Sequence, residues 1–105
     1  MSTNTQPEEL RFMMNEQVRS LARENQTPLY VLSLAMAAKQ LETITSVSTK
    51  TPIVVRYAMK ANGHPALLAM LQKRGVVVDV SSGYEAQHAL EGGFKGSEIL
   101  INGQE

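Results

Sequence analysis

The sequence contains no cysteine, and that absence removes disulfide scaffolds, thiolate metal sites and cysteine nucleophiles together. Such a chain suits a reducing compartment. Surplus charge is missing too. Ten basic and ten acidic residues leave a formal net charge of zero, so no bulk field points to nucleic acid or an anionic membrane as partner. No apolar run approaches the roughly 20 residues needed to cross a bilayer. The polar start Met1-Ser2-Thr3-Asn4-Thr5-Gln6 lacks the basic and apolar regions of a signal peptide. These absences together read as a cytoplasmic protein without a membrane partner. What is present is the composition of a globular domain, with 43% apolar residues in a chain of 105.

Thr5-Gln6-Pro7-Glu8 has the spacing of a capping box, and Pro7 is tolerated in a first helical turn that needs no donor, so a helix is expected to start there. Leu10, Met13, Met14, Val18, Leu21 and Ala22 continue it at helical spacing up to Asn25 and the Thr27-Pro28 break. Residues 1–26 are therefore read as an N-terminal helical segment. Leu29-Tyr30-Val31-Leu32 is a short strand candidate. Ser33 can cap a second helix that carries Leu34, Ala37, Ala38, Leu41 and Ile44 on one face, with an end blurred by the hydroxyl and β-branched residues of 43–51.

After Pro52 the texture changes. Ile53-Val54-Val55-Arg56-Tyr57-Ala58-Met59 is a nearly continuous apolar run, the mark of a parallel strand covered on both faces, and Lys60 stands at its end. Pro65 opens a helix through Leu67, Leu68 and Leu71 that Gly75 can stop, and Val76-Val77-Val78-Asp79-Val80 follows as a second buried strand. Ser82 and Glu85 form another capping box before an inner stripe of Ala86, Ala89 and Leu90. Gly92-Gly93 ends that helix ahead of a third strand at Ile99-Leu100-Ile101.

This βαβαβ order predicts an α/β fold with a parallel sheet. A doubly wound sheet and a (β/α)8 barrel both satisfy it. Lys60, Asp79 with Ser81, and Asn102 with Gly103 fall at or just past successive strand ends, where barrels place their chemistry. A barrel takes about 250 residues, so residues 27–105 are expected to be only its first units, and the chain to be an incomplete portion.

Lys60 is the residue the pattern singles out. An ammonium directly after a mostly apolar strand is costly unless it has a partner or a covalent role, and desolvation there favours the neutral amine that condenses with an aldehyde. Position alone also allows a lysine that merely extends its ammonium from the strand end into water. Tyr57 alternates away from Lys60 and is expected to pack outward against a helix, whereas Ala58 and Arg56 share the lysine's face. Arg56 needs a partner, and Asp79 is one candidate. His64, just before Pro65, is read as a loop contact or cap.

Tyr57-Ala58-Met59-Lys60-Ala61-Asn62 resembles the strand end that carries the cofactor lysine in the fold-type-III pyridoxal-phosphate (PLP) decarboxylases, the diaminopimelate and ornithine decarboxylase-like family. Asp79-Val80-Ser81-Ser82-Gly83-Tyr84-Glu85 is similar to that family's Asp-x-x-Ser-x-x-Glu turn. Thr27-Pro28-Leu29-Tyr30-Val31 and Glu98-Ile99-Leu100-Ile101-Asn102-Gly103 agree as well, so the likeness covers nearly everything from Thr27 onward. It implies the N-terminal part of an alanine-racemase-like TIM barrel. It also implies PLP as cofactor, Lys60 as its Schiff-base lysine, and Asp79 and Glu85 as polar residues beside it. The implied reaction is decarboxylation of a basic or diamino acid, with the whole enzyme a homodimer.

Each acid keeps a plain alternative: Asp79 pairing with Arg56, and Glu85 completing the Ser82 cap. Alanine racemases share a lysine-alanine-asparagine strand end, but they usually continue Ala-Tyr-Gly, whereas Asn62-Gly63-His64-Pro65 is closer to the decarboxylases' Asn-x-x-Pro. A non-catalytic fragment is the remaining reading. The family's ring-stacking histidine, glycine-rich phosphate loop and C-terminal β-domain have no counterpart in these residues.

Overall fold

The computed structural model describes residues 12, 15–47 and 50–103. The chain separates into two compact units, Met1–Leu32 and Ser33–Glu105. The expected cap at Thr5–Glu8, and with it Leu10, Met13 and Met14, lies outside the described residues. In the first unit, helix α1 (Glu16–Asn25) begins later than a single unbroken stripe would have it. Asn15 is extended (φ −65°, ψ 141°) and its side chain accepts from the Gln17 N–H at 2.7 Å. An asparagine placed to satisfy a free helical N–H starts a helix where apolar spacing alone would run through it. Arg23 reaches back to Glu16 at 2.6 Å, an exposed pair of small worth. Gln26, at φ 65°, turns the chain out of the helix ahead of the Thr27-Pro28 step, as expected.

The strand expected at Leu29–Leu32 does not form, and Tyr30 is fully exposed. A four-residue apolar run becomes a strand only where a sheet edge accepts its backbone, and among the described residues the sheet pairs only later segments.

The second unit opens with α2 (Leu34–Thr45), capped as predicted by Ser33, whose hydroxyl accepts from the Met36 N–H at 3.2 Å. Ser33→Ala is expected to cost about 1 kcal/mol, the usual worth of such a cap, measured as a lowered urea midpoint at unchanged slope. Only the middle of the predicted stripe is covered: Leu41 is buried and Ala37 packs beside it, while Leu34 and Ile44 are exposed. Thr45 and Ser46 return hydroxyl bonds to the carbonyls of Leu41 and Thr43, which accounts for the frayed, hydroxyl-rich end.

Three parallel strands follow in the order β1 (Arg56–Ala58), β2 (Val77–Val80), β3 (Ile99–Ile101), joined by α3 (Pro65–Lys73) and α4 (Gly83–Glu91). This is the predicted βαβαβ segment, an open α/β sheet rather than a closed ring. In register, Tyr57, Val78 and Ile99 share one face. That face packs with Met59, Leu68, Val80, Ala89 and Phe94 into the main core, while Leu67, Leu71 and Val76 meet Leu41 of α2 in a second cluster. Each such fully buried side chain is worth about 1.5–3 kcal/mol.

Two expectations need correction here. The apolar run from Ile53 was to be covered on both faces, yet Ile53 and Val54 are exposed and β1 shrinks to three residues. Pairing with β2 starts at the Val55 carbonyl, so Ile53 and Val54 run ahead of the sheet. Within β1 burial alternates because an edge strand with helices on one side has one dry face. Leu90 was assigned to the inner stripe of α4 but is 49% exposed. Ala89 of that stripe is buried as predicted, and Phe94 takes the place expected of Leu90, its N–H returning to the Ala89 carbonyl around Gly92-Gly93. Gly75 stops α3 as predicted, at φ 79°. No described helix is long and apolar enough to cross a membrane.

Candidate active site

The carboxyl end of β1 turns into a single 3-10 turn, Met59–Ala61, that carries Lys60. Met59 is 4% exposed and sits in the main core, which fixes one side of the turn. Tyr57 fixes the other. Its ring packs on the core from the face opposite Arg56, as expected, and its hydroxyl donates to the Asn62 carbonyl at 2.8 Å, a bond the pattern does not announce. Beyond it, the Asn62 side chain accepts from the His64 N–H at 2.9 Å, and His64 Nδ1 accepts from the Ala66 N–H at 3.1 Å. His64 is thus the cap of α3, as predicted, with its ring proton on Nε2 to leave Nδ1 an acceptor.

Burial pushes the Tyr57 hydroxyl above the ordinary phenol range. A raised folded value means that the folded state holds the proton more tightly than the unfolded chain. The resulting stability is complete below about pH 10 and is lost as pH rises through the folded value. Tyr57→Phe is expected to flatten that alkaline loss in melts between neutral and high pH. It should also remove the latest-ionising component from the ultraviolet phenolate titration.

Lys60 is exposed, so the desolvation invoked for a lysine at the end of a buried strand is not supplied by this chain. Its position at the strand end is as expected. Asp79 lies on the sheet face away from the helices, between the inward Val78 and Val80. Its Oδ1 is buried and has no hydrogen-bond partner among the described residues. The suggested Arg56–Asp79 pair does not form. The Arg56 guanidinium instead donates to the Val78 carbonyl at 3.0 Å. Carbonyls of this parity on β2 face β3, since Val80 accepts from the Asn102 N–H, so the Arg56 side chain crosses β2 on its open face.

Glu85 takes part in the Ser82 cap, in modified form. Its N–H donates to Ser82 Oγ at 3.1 Å, the predicted cap, but its carboxylate reaches past Ser82 to accept from the Ser81 N–H at 3.3 Å. The box is therefore shifted by one residue from the usual reciprocal form.

Lys60 and Glu85 meet in one open cleft of about 260 Å³, walled also by Met59, Gly63, Tyr84 and His88. Asp79 is not part of that wall. Tyr84 and His88 are the residues that sequence reasoning passed over. His88 was findable, because it stands three residues after Glu85 on one helix and so shares its face. Among the described residues no group of three or more histidine, aspartate and glutamate side chains is placed to hold a metal ion.

The arrangement is that of an amine sharing a cleft with one hydrogen-bonded carboxylate, near the carboxyl ends of parallel strands. Comparison with known proteins points the same way. The domain described as "Pyridoxal-dependent decarboxylase, pyridoxal binding domain" matches residues 34–105. Diaminopimelate decarboxylase of Archaeoglobus fulgidus is 34% identical over 86 residues, covering 82% of this chain and 20% of the relative. That of Bacteroides thetaiotaomicron is 33% identical over 82 residues, covering 77% and 21%. The Bacillus subtilis enzyme is 31% identical over 85 residues, covering 79% and 19%. The chain thus spans about a fifth of the length of these curated relatives. No solved structure matches it significantly. With strand order, lysine position and domain match in agreement, the chain belongs to the pyridoxal-binding domain family of the pyridoxal-dependent decarboxylases.

Proposed function

We propose that this chain is the lysine-bearing portion of a PLP-dependent amino-acid decarboxylase that acts on a basic or diamino acid, diaminopimelate being the substrate named for its relatives. The observation that carries the reading is the Lys60 amine, held at the end of β1 by Met59 and Tyr57 and facing a cleft with Glu85. The residues fit the cofactor: Lys60 offers an exposed amine without a hydrogen-bond or ion-pair partner among the described residues, and Asp79 offers a buried acceptor that still needs a donor. Pyridoxal phosphate, when bound, supplies an electron sink for the pair left behind as a carboxylate departs.

Lys60 is the covalent anchor. Its neutral amine is the reactive form, which closure of the remaining strands of a TIM barrel over the open sheet face would favour by desolvation. Asp79 is assigned to orienting Lys60 and its neighbours through its free acceptor, and Glu85 to the cleft wall, where its hydrogen bond to Ser81 keeps its carboxylate in place. The ring-stacking and phosphate-holding groups belong to segments outside these residues, and the complete enzyme is a homodimer. The cysteine-free composition supports a cytoplasmic location. A racemase has less support, because the relatives found are decarboxylases.

The test is to incubate the chain with pyridoxal phosphate, reduce with borohydride and map the pyridoxyl mass by peptide. Label concentrated at Lys60 and absent from Lys60→Ala is the expected result. Label scattered over surface lysines would mean that the exposed amine has no site around it.

A further inference from the structure

We propose that Gly103 is a positioning residue for the cleft, acting through a main-chain contact with Ser81 that fixes the turn on which Glu85 is held. The inference rests on the reading of the cleft as the cofactor site. β3 leaves the sheet at Asn102, whose N–H donates to the Val80 carbonyl at 2.8 Å. At the next residue the backbone runs so close to Ser81 that a Cβ on Gly103 would overlap the Ser81 carbonyl oxygen and carbon. These atoms are main chain, so no side-chain rotation relieves the overlap, and either the Ser81 peptide or the exit of β3 has to move.

The Ser81 main chain is not free to move alone. The N–H of the same residue, one peptide earlier, is the donor to Glu85 Oε1, and the adjoining Ser82 hydroxyl caps the helix that carries Glu85. A displaced Ser81 therefore takes with it the hydrogen bond that sets the Glu85 carboxylate, which shares its cleft with Lys60. Crowding of this kind is not general to the turns of this protein. A Cβ on Gly75 or Gly96 would meet nothing within 4 Å. Gly103 belongs to no wall of the cleft, so its effect runs through Ser81 and Glu85 and makes it a positioning residue, not a catalytic one.

The experiment is amide hydrogen exchange on the cofactor-free chain, read at Ser81 and at core amides such as Val78, for wild type, Gly103→Ala, Gly96→Ala, Glu85→Gln and Glu85→Ala. Loss of a hydrogen bond to a charged acceptor is expected to lower Ser81 protection about tenfold or more. Gly103→Ala and Glu85→Ala should both show that loss with Val78 unchanged. Gly96→Ala should show none. Glu85→Gln, which keeps an oxygen for the Ser81 N–H, should retain most of the protection.

Borohydride-trapped label at Lys60 should fall several-fold in Gly103→Ala. Unchanged Ser81 protection in Gly103→Ala would overturn the proposal. So would equal loss at Ser81 and Val78, which would make Gly103 merely structural. Absence of label at Lys60 in the wild type would instead defeat the cofactor reading, and the exchange result would still judge the contact.

Discussion

Under the function proposed above, Lys60→Arg in the full-length protein is expected to lower decarboxylase activity on the order of 10³-fold or more, the scale on which loss of a covalent-catalysis side chain is felt. Arginine keeps the charge and approximate length, so the substitution isolates the chemistry. A guanidinium stays protonated under all ordinary conditions and cannot condense with an aldehyde. The fold should be indifferent. Lys60 is exposed, and the turn is held by Met59 and Tyr57, not by the lysine itself. An exposed substitution of this kind should stay within about 0.5 kcal/mol in stability. Turnover and a denaturant curve on the same preparation check both halves. Retained activity would move the anchoring role to another lysine.

Val78→Asp is the variant expected to damage the protein most. Val78 is fully buried at the centre of the middle strand, in register with Tyr57 on one side and Ile99 on the other. Its side chain joins Leu68, Ala89 and Phe94 in the main core. A carboxyl there loses both the apolar contacts and its water, among neighbours that are almost wholly apolar. The cost should exceed about 4 kcal/mol, most of the 5–15 kcal/mol by which a typical domain is stable. Far-ultraviolet circular dichroism should show loss of the cooperative transition. Persistence of that transition would mean that the β2 face is less enclosed than the strand register implies.

Much of the second unit was legible in the sequence because its signals are local. Ser33, His64-Pro65, Gly75, Ser82 and Gly92-Gly93 mark helix ends through single backbone groups that need satisfying, and each works where it was read. The parallel order followed from alternation of strand and helix. The misreadings arose where partners decide. Leu29–Leu32 and Ile53–Val54 carry strand composition, but composition does not tell whether a neighbouring edge is present. Asn15 was overlooked because a cap inside a periodic stripe is outweighed by the stripe.

At the candidate site, the place of Lys60 just past a strand end was legible, whereas its exposure was not. Exposure depends on what covers the open sheet face. The one-residue shift of the Glu85 bond and the crossing of β2 by Arg56 were illegible for a similar reason, since backbone groups at near-equal reach compete and only geometry chooses. His88 needed only helical arithmetic, applied to a partner already chosen.

The Gln72 side chain donates to the Gly93 carbonyl at 2.6 Å, joining the last turn of α3 to the turn that ends α4. Gly93, at φ 100°, leaves little room for a side chain, since a Cβ there would stand 3.2 Å from the Gln72 amide. This clasp ties the helix ends that precede β2 and β3, away from the strand ends that carry Lys60 and Ser81. For protein engineering, the division defines a chassis and a replaceable deck. The loops after the strands, where the cleft lies, are the part to vary, while Gln72 and Gly93 are the pair to leave untouched.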